Sequence, residues 1–154
     1  MNEPTEPAKS LASACEIFLK DLEALPDEAF AKKFGDKVRT VADIVYEVNL
    51  VNDHIGMVLR GEEPFEWPEG GWITAPTDFK SKDAVITAFS ESSQRIVETA
   101  NGLSETDLES TVETERGPRS KAERCRFITL HLWYHLGQLN FIQTLLGDDA
   151  WHWG

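Results

Sequence analysis

The chain has 154 residues, of which 41% are apolar and 27% charged, and its formal net charge is −12. That length suits a single domain, 1–154, with one core. The acidic balance argues against nucleic acid or an anionic membrane as the main partner, since both require a basic face, and no apolar run approaches the roughly 20 residues that span a bilayer.

The N-terminal MNEPTEPAKS is acidic and has no basic segment ahead of an apolar stretch, so it does not read as a signal peptide. Residues 1–7 are expected to form a loose arm. Leu11, Cys15, Phe18, Leu22 and Leu25 then recur at spacings of four and three, one face of an amphipathic helix that Pro26 stops. Cys15 and Cys125 are the only cysteines, with no C-x-x-C, and both sit in apolar helical patterns. Free buried thiols and a cytoplasmic location follow.

Thr40, with Asp43 three residues on, opens a second helix. Val41, Ile44, Val48, Val51, Ile55 and Leu59 form its stripe, and Gly61 marks its end. Tyr46, Leu50 and Met57 lie on another face. A helix apolar on two sides is buried on two sides, which points to a homodimer interface. Residues 61–80, GEEPFEWPEGGWITAPTDFK, read as a long loop in which Phe65, Trp67 and Trp72 cover something.

Ser81 caps a third helix to about Ala100, with Val85, Ala88, Phe89, Ser92 and Ile96 inward. LSETD reads as a helical turn, TVETERG as briefly extended and GPRS as a turn. Ser120 and Glu123 form a capping box for the fourth long helix, which runs to Leu146 with Gly147 as its C-cap. The tail DDAWHWG is expected to fold back. Four long amphipathic helices predict an all-α four-helix bundle with a long aromatic loop between helices two and three.

The last long helix carries HLWYHLGQLNF, residues 131–141. Four residues of α-helix separate two side chains by about 40° and about 6 Å along the axis. His131 and His135 therefore point the same way, along the stripe of Ile128, Leu132, Leu139 and Ile142. Two inward imidazoles are hard to satisfy in a core of Leu and Ile, whereas a divalent metal satisfies both. A third donor must come from a neighbouring helix. Helix two offers Glu47 at the edge of its stripe, unless that carboxylate pairs with an arginine or reaches water. His54, about 10 Å further along, is a candidate supporting group, as is Gln138, one turn beyond His135. Two familiar metal patterns are excluded. The residue after His131 is Leu132, so H-E-x-x-H is absent, and the sequence has no Glu-x-x-His of the di-iron type.

TVADIVYEVNLVNDHI in helix two and HLWYHLGQLNFIQTLLG in the last helix resemble the DinB/YfiT-like family of four-helix-bundle proteins. The resemblance covers most of the chain, and its most specific part is the His-x-x-x-His-x-Gly-Gln run. It implies a divalent metal, zinc or nickel, held by three histidines, one from helix two and two at i,i+4 from the last long helix. His131 and His135 match the pair. The helix-two histidine aligns with Glu47, a departure that adds a negative charge, although His₂Glu sites do bind zinc. Leu136 stands where the family often has a basic or polar residue. The resemblance further implies chemistry on a small-molecule substrate dependent on a low-molecular-weight thiol such as bacillithiol or mycothiol, either S-transfer or hydrolysis. Trp67, Trp72, Trp133 and Tyr134 are candidates for the mouth of such a site. The competing expectation is a metal-free, homodimeric binding or stress-related module without catalysis.

Overall fold

In a computed structural model of the protein, which describes residues 3–154, the first helix, α1 (Glu6–Ala24), starts earlier than its stripe requires. Pro7 sits in the first turn, where its missing N–H costs no hydrogen bond, and Glu6 suits the positive end of the helix dipole. Glu6 and Pro7 therefore belong to the helix rather than to the expected arm, and positions 1 and 2 lie outside the described residues. Leu11, Cys15, Phe18, Leu22 and Leu25 are all buried.

A short 3₁₀ turn (Asp27–Ala29) leads to α2 (Val41–Leu59). The Thr40 hydroxyl accepts from the Asp43 N–H at 3.0 Å and the Asp43 carboxylate accepts from the Thr40 N–H at 3.2 Å, the reciprocal cap expected from the sequence. Asp43 also accepts from the Ala75 N–H at 2.8 Å, so the capping carboxylate anchors the returning end of the 61–80 loop. Gly61, at φ 76°, closes the helix in a Schellman turn: its N–H bonds the Val58 carbonyl and the Glu62 N–H bonds that of Met57. The expected stripe from Val41 to Leu59 is buried, while Tyr46, Leu50 and Met57 are half-buried within the monomer.

Next come α3 (Lys82–Asn101) and the short α4 (Glu105–Glu109), each with a serine cap. Of the segment expected to be extended only Thr111–Val112 is a strand, β1; it pairs antiparallel with β2 (Arg119–Ser120), which lies in the expected GPRS turn, and the chain turns earlier, between Thr114 and Gly117, the latter at φ 88°. The longest helix, α5 (Lys121–Leu145), starts at the Ser120–Glu123 box and ends in a second Schellman turn at Gly147. α1 packs against α3 and α5, and α2 packs against the same two. α1 and α2 thus occupy one diagonal of a four-helix bundle and α3 and α5 the other. Phe18 and Phe89 fill the centre with ring centroids 4.7 Å apart. No helix among the described residues is long and apolar enough to cross a membrane.

The tail folds back as expected, and its anchor is polar. The Trp153 indole N–H donates to both oxygens of buried Asp21, at 3.1 and 3.2 Å, and the Asn140 amide donates to the same carboxylate. Burial pushes the Asp21 carboxyl above the usual carboxylate range, and these two donors oppose the rise.

Candidate metal centre

α2 and α5 meet where Glu47 faces His131 and His135. Each histidine Nε2 stands 3.4 Å from Glu47 Oε1, and the two Nε2 atoms are 3.1 Å apart. A tetrahedral site with ligand distances of about 2.0–2.1 Å needs donor–donor edges of about 3.3–3.4 Å. The three atoms therefore form a triangle of the size of one face of such a tetrahedron. Among the described residues this is the one cluster of three or more His, Cys, Asp or Glu close enough to hold a cation.

The supporting contacts fix the rings. His135 is buried, and its Nδ1–H donates to Gln138 Oε1 at 2.6 Å, which leaves Nε2 with the free lone pair. Gln138 thus stands where the sequence placed a supporting group. His131 is flanked by Phe127, stacked nearly parallel with centroids 6.1 Å apart, and its buried Nδ1 has no hydrogen-bond partner. Tyr134 lies edge-on to His135 at 5.0 Å.

Sequence reasoning missed Arg39. Its Nη1 pairs with the second oxygen of Glu47, and its guanidinium lies 4.4 Å over the Trp72 ring. The carboxylate is therefore divided, with Oε1 to the imidazoles and Oε2 to the arginine. The two imidazoles, His131 ahead of His135, and then the Arg39 charge hold the Glu47 carboxyl well below the usual carboxylate range, although burial opposes this. Glu47 and Arg39 together carry no net charge. As a pair they have the same net charge as a neutral imidazole, so Arg39 offsets the charge the glutamate would otherwise add. One local signal was available: Arg39 immediately precedes the Thr40 cap, where a cation opposes the helix dipole and needs a carboxylate to hold it.

Other expected residues go elsewhere. His54 is not brought to the triad. Its ring sits edge-on to Phe65 at 5.1 Å and to Trp67 at 5.7 Å, and burial lowers its pKa, assisted by the Arg124 charge. Trp67 therefore covers His54, and only Trp72 of the loop aromatics reaches the Glu47–Arg39 pair. Trp133 packs on the tail against Trp153 at 5.5 Å, away from the mouth. Both thiols are buried, and burial pushes Cys15 up to about 12 and Cys125 up to about 11.

The family profile described as the DinB superfamily matches residues 11–139. No curated protein matches the chain in sequence. Three solved structures share the fold. A DinB-like protein from Bacillus cereus ATCC 10987 is 17% identical with a TM-score of 0.72, covering 96% of this chain and 95% of that one. A conserved protein from Enterococcus faecalis is 13% identical with a TM-score of 0.71, covering 92% and 96%. A mutant of the mycothiol-dependent maleylpyruvate isomerase is 15% identical with a TM-score of 0.63, covering 87% of this chain and 59% of that one.

Proposed function

The chain belongs to the DinB superfamily, and from that premise we propose a metal-dependent enzyme acting on a small electrophile with an external low-molecular-weight thiol, by S-transfer or hydrolysis. The observation that carries the reading is the donor triangle of 3.1, 3.4 and 3.4 Å. Glu47, His131 and His135 would hold a divalent cation, zinc or nickel. When bound, such a cation favours the thiolate of a coordinating sulfur near neutral pH.

The chain's own residues have separate tasks. Gln138 keeps the His135 proton on Nδ1, so that Nε2 stays a donor of electrons rather than of hydrogen. Arg39 fixes the rotation of the Glu47 carboxylate and cancels its charge. Phe127 stacks beside His131 and Tyr134 lies edge-on to His135, which restricts the rotation of both rings. The protein's own thiols are poor nucleophiles, because both are buried and their pKa values lie far above neutrality. A sulfur nucleophile would therefore come from outside, in keeping with the mycothiol dependence named for one structural neighbour.

Elemental analysis of protein purified without chelator tests the proposal. It expects about one zinc or nickel per chain, lost in His135→Ala, and consumption of an electrophile only when a thiol is supplied. Metal-free protein that neither binds nor is stabilised by either ion would overturn it.

A metal-free, homodimeric binding module is the second reading, and one observation favours it. Phe127, Leu130, Tyr134 and Phe141 on α5 are 46–68% exposed and follow one another at spacings of three, four and seven. A dimer interface would lie along this face rather than on the outer face of α2. Sedimentation of Leu130→Glu tests it: a concentration-dependent dimer that persists in the variant excludes that surface.

A further inference from the structure

We propose that Arg39 is the receptor for a carboxylate of the ligand that reacts at the Glu47–His131–His135 site, with Trp72 as the movable cover over it. The inference rests on the reading of that site given above and narrows its substrate class.

Three observations converge. The Arg39 side chain is only 10% exposed, and its two terminal nitrogens are used unequally. Nη1 is committed to Glu47, whereas Nη2 is buried without a hydrogen-bond partner. A buried guanidinium N–H left unpaired is costly, and the acceptor that suits it is a planar oxyanion, because the guanidinium fork matches carboxylate geometry. Second, Nη2 belongs to the same guanidinium that touches Glu47, so an acceptor on it lies next to the donor triangle. A chain of net charge −12 repels anions in general. An anion held here is held by this local cation.

The third observation concerns access. Trp72 faces the guanidinium at 4.4 Å, yet is itself 69% exposed, so little besides Arg39 holds it. Gly70 and Gly71 precede it, Gly70 at φ 112°, a region open to glycine, and a side chain at either position would meet open space. This pair is the joint on which the indole lifts to admit the carboxylate and returns to stack on the ion pair. The anchor at Ala75 on Asp43 limits the movement to the segment before it.

Calorimetric titration of the full chain in 150 mM salt tests the assignment, in EDTA and with zinc. Maleate and 3-mercaptopropionate are the carboxylate probes, maleamide and 2-mercaptoethanol their uncharged counterparts, and inorganic phosphate the competing anion. Maleate is expected to bind and maleamide not. Arg39→Lys keeps the charge and a partner for Glu47 but loses the second nitrogen of the planar fork, and is expected to weaken maleate at least about tenfold. Trp72→Ala, at an exposed position that does not threaten folding, is expected to weaken it about two- to fivefold. Binding by maleate places the carboxylate on the electrophile, and binding by 3-mercaptopropionate alone places it on the thiol; both uphold the receptor. Equal affinity of Arg39→Lys and wild type, an unaltered affinity in Trp72→Ala, or phosphate binding tighter than either carboxylate overturns it. Zinc stabilisation without any carboxylate response sinks this inference and spares the metal reading. Arg39-dependent carboxylate binding without a zinc response does the reverse.

Discussion

Replacing Glu47 by Gln keeps the shape of the side chain and removes its charge. Arg39 is then a nearly buried cation whose partner is neutral. Breaking a buried pair by removing one member costs about 3–5 kcal/mol. Here the two side chains retain 10% and 15% exposure, and solvent screening reduces the figure to about 2–3 kcal/mol. At about 2–4 °C per kcal/mol for a domain of this size, the melting temperature of the metal-free protein should fall by about 4–12 °C. The assay is thermal unfolding in EDTA, repeated with zinc. Zinc at a hundred times its dissociation constant adds about 2.7 kcal/mol to a protein with a site, so wild type should gain about 5–11 °C. Glu47→Gln should gain much less. The double variant Glu47→Gln/Arg39→Met removes both charges and should lie closer to wild type in EDTA than Glu47→Gln alone. A Glu47→Gln protein within about 0.5 kcal/mol of wild type, with its zinc response intact, would refute both the ion-pair energetics and the metal role.

The charge equivalence of the Glu47–Arg39 pair and an imidazole gives a second expectation. Glu47→His alone should bind zinc poorly beside an unpaired Arg39, whereas Glu47→His/Arg39→Met should recover it, as metal analysis of the two proteins would show. The lowered Glu47 pKa fixes the sign of a pH effect. Its contribution to stability is complete above the unfolded carboxylate value, about 4.3, and is lost as pH falls through that range toward the folded value. The urea midpoints of wild type and Glu47→Gln should therefore differ at pH 7 and converge in acid; a constant gap down to pH 3 would contradict this. The cysteines should resist a thiol reagent in the native state and both react in urea, so rapid native labelling of Cys15 or Cys125 would reopen an internal nucleophile. Asp21→Ala leaves the Trp153 indole N–H unpaired and should cost about 1–3 kcal/mol, with earlier proteolysis of residues 148–154 as the companion readout.

The helices and the histidine pair were legible because both depend on local periodicity. The stripes of α1 and α2, the capping boxes at Thr40 and Ser120 and the glycine stop at 147 each involve residues within one or two turns. Glu47 was also reachable, since a carboxylate on the edge of an apolar stripe demands a partner. Its two possible fates, metal donor and arginine partner, looked like alternatives in the sequence. In the folded chain one oxygen faces the two imidazoles and the other the arginine, and only the course of the segment from Ala29 to Thr40 reveals that the arginine is Arg39. Residues that depend on loop geometry were not legible. His54 has the spacing of a supporting group, but Phe65 and Trp67 close over it, because the loop leaving α2 runs back along that helix. Asp21 gave no sign of its role either, since its partners, Asn140 and Trp153, are far away in sequence. The second face of α2 was legible as Tyr46, Leu50 and Met57, which are half-buried within the chain, whereas the exposed apolar row on α5 was not, because it shares that helix with the inward stripe.

Asp43 performs two jobs with one carboxylate: one oxygen closes the first turn of α2 and the other holds the backbone at Ala75. Changes in length between Glu62 and Ile73 can therefore be absorbed without shifting the turn that sets Arg39 and, one further turn on, Glu47. Insertions there should be tolerated, and deletions spanning Ala75 should not. The return of the loop is thus pinned independently of its course, and its link to the donor atoms is the Trp72 stack on Arg39, so new loops that keep an aromatic over the guanidinium should leave the donor geometry in place.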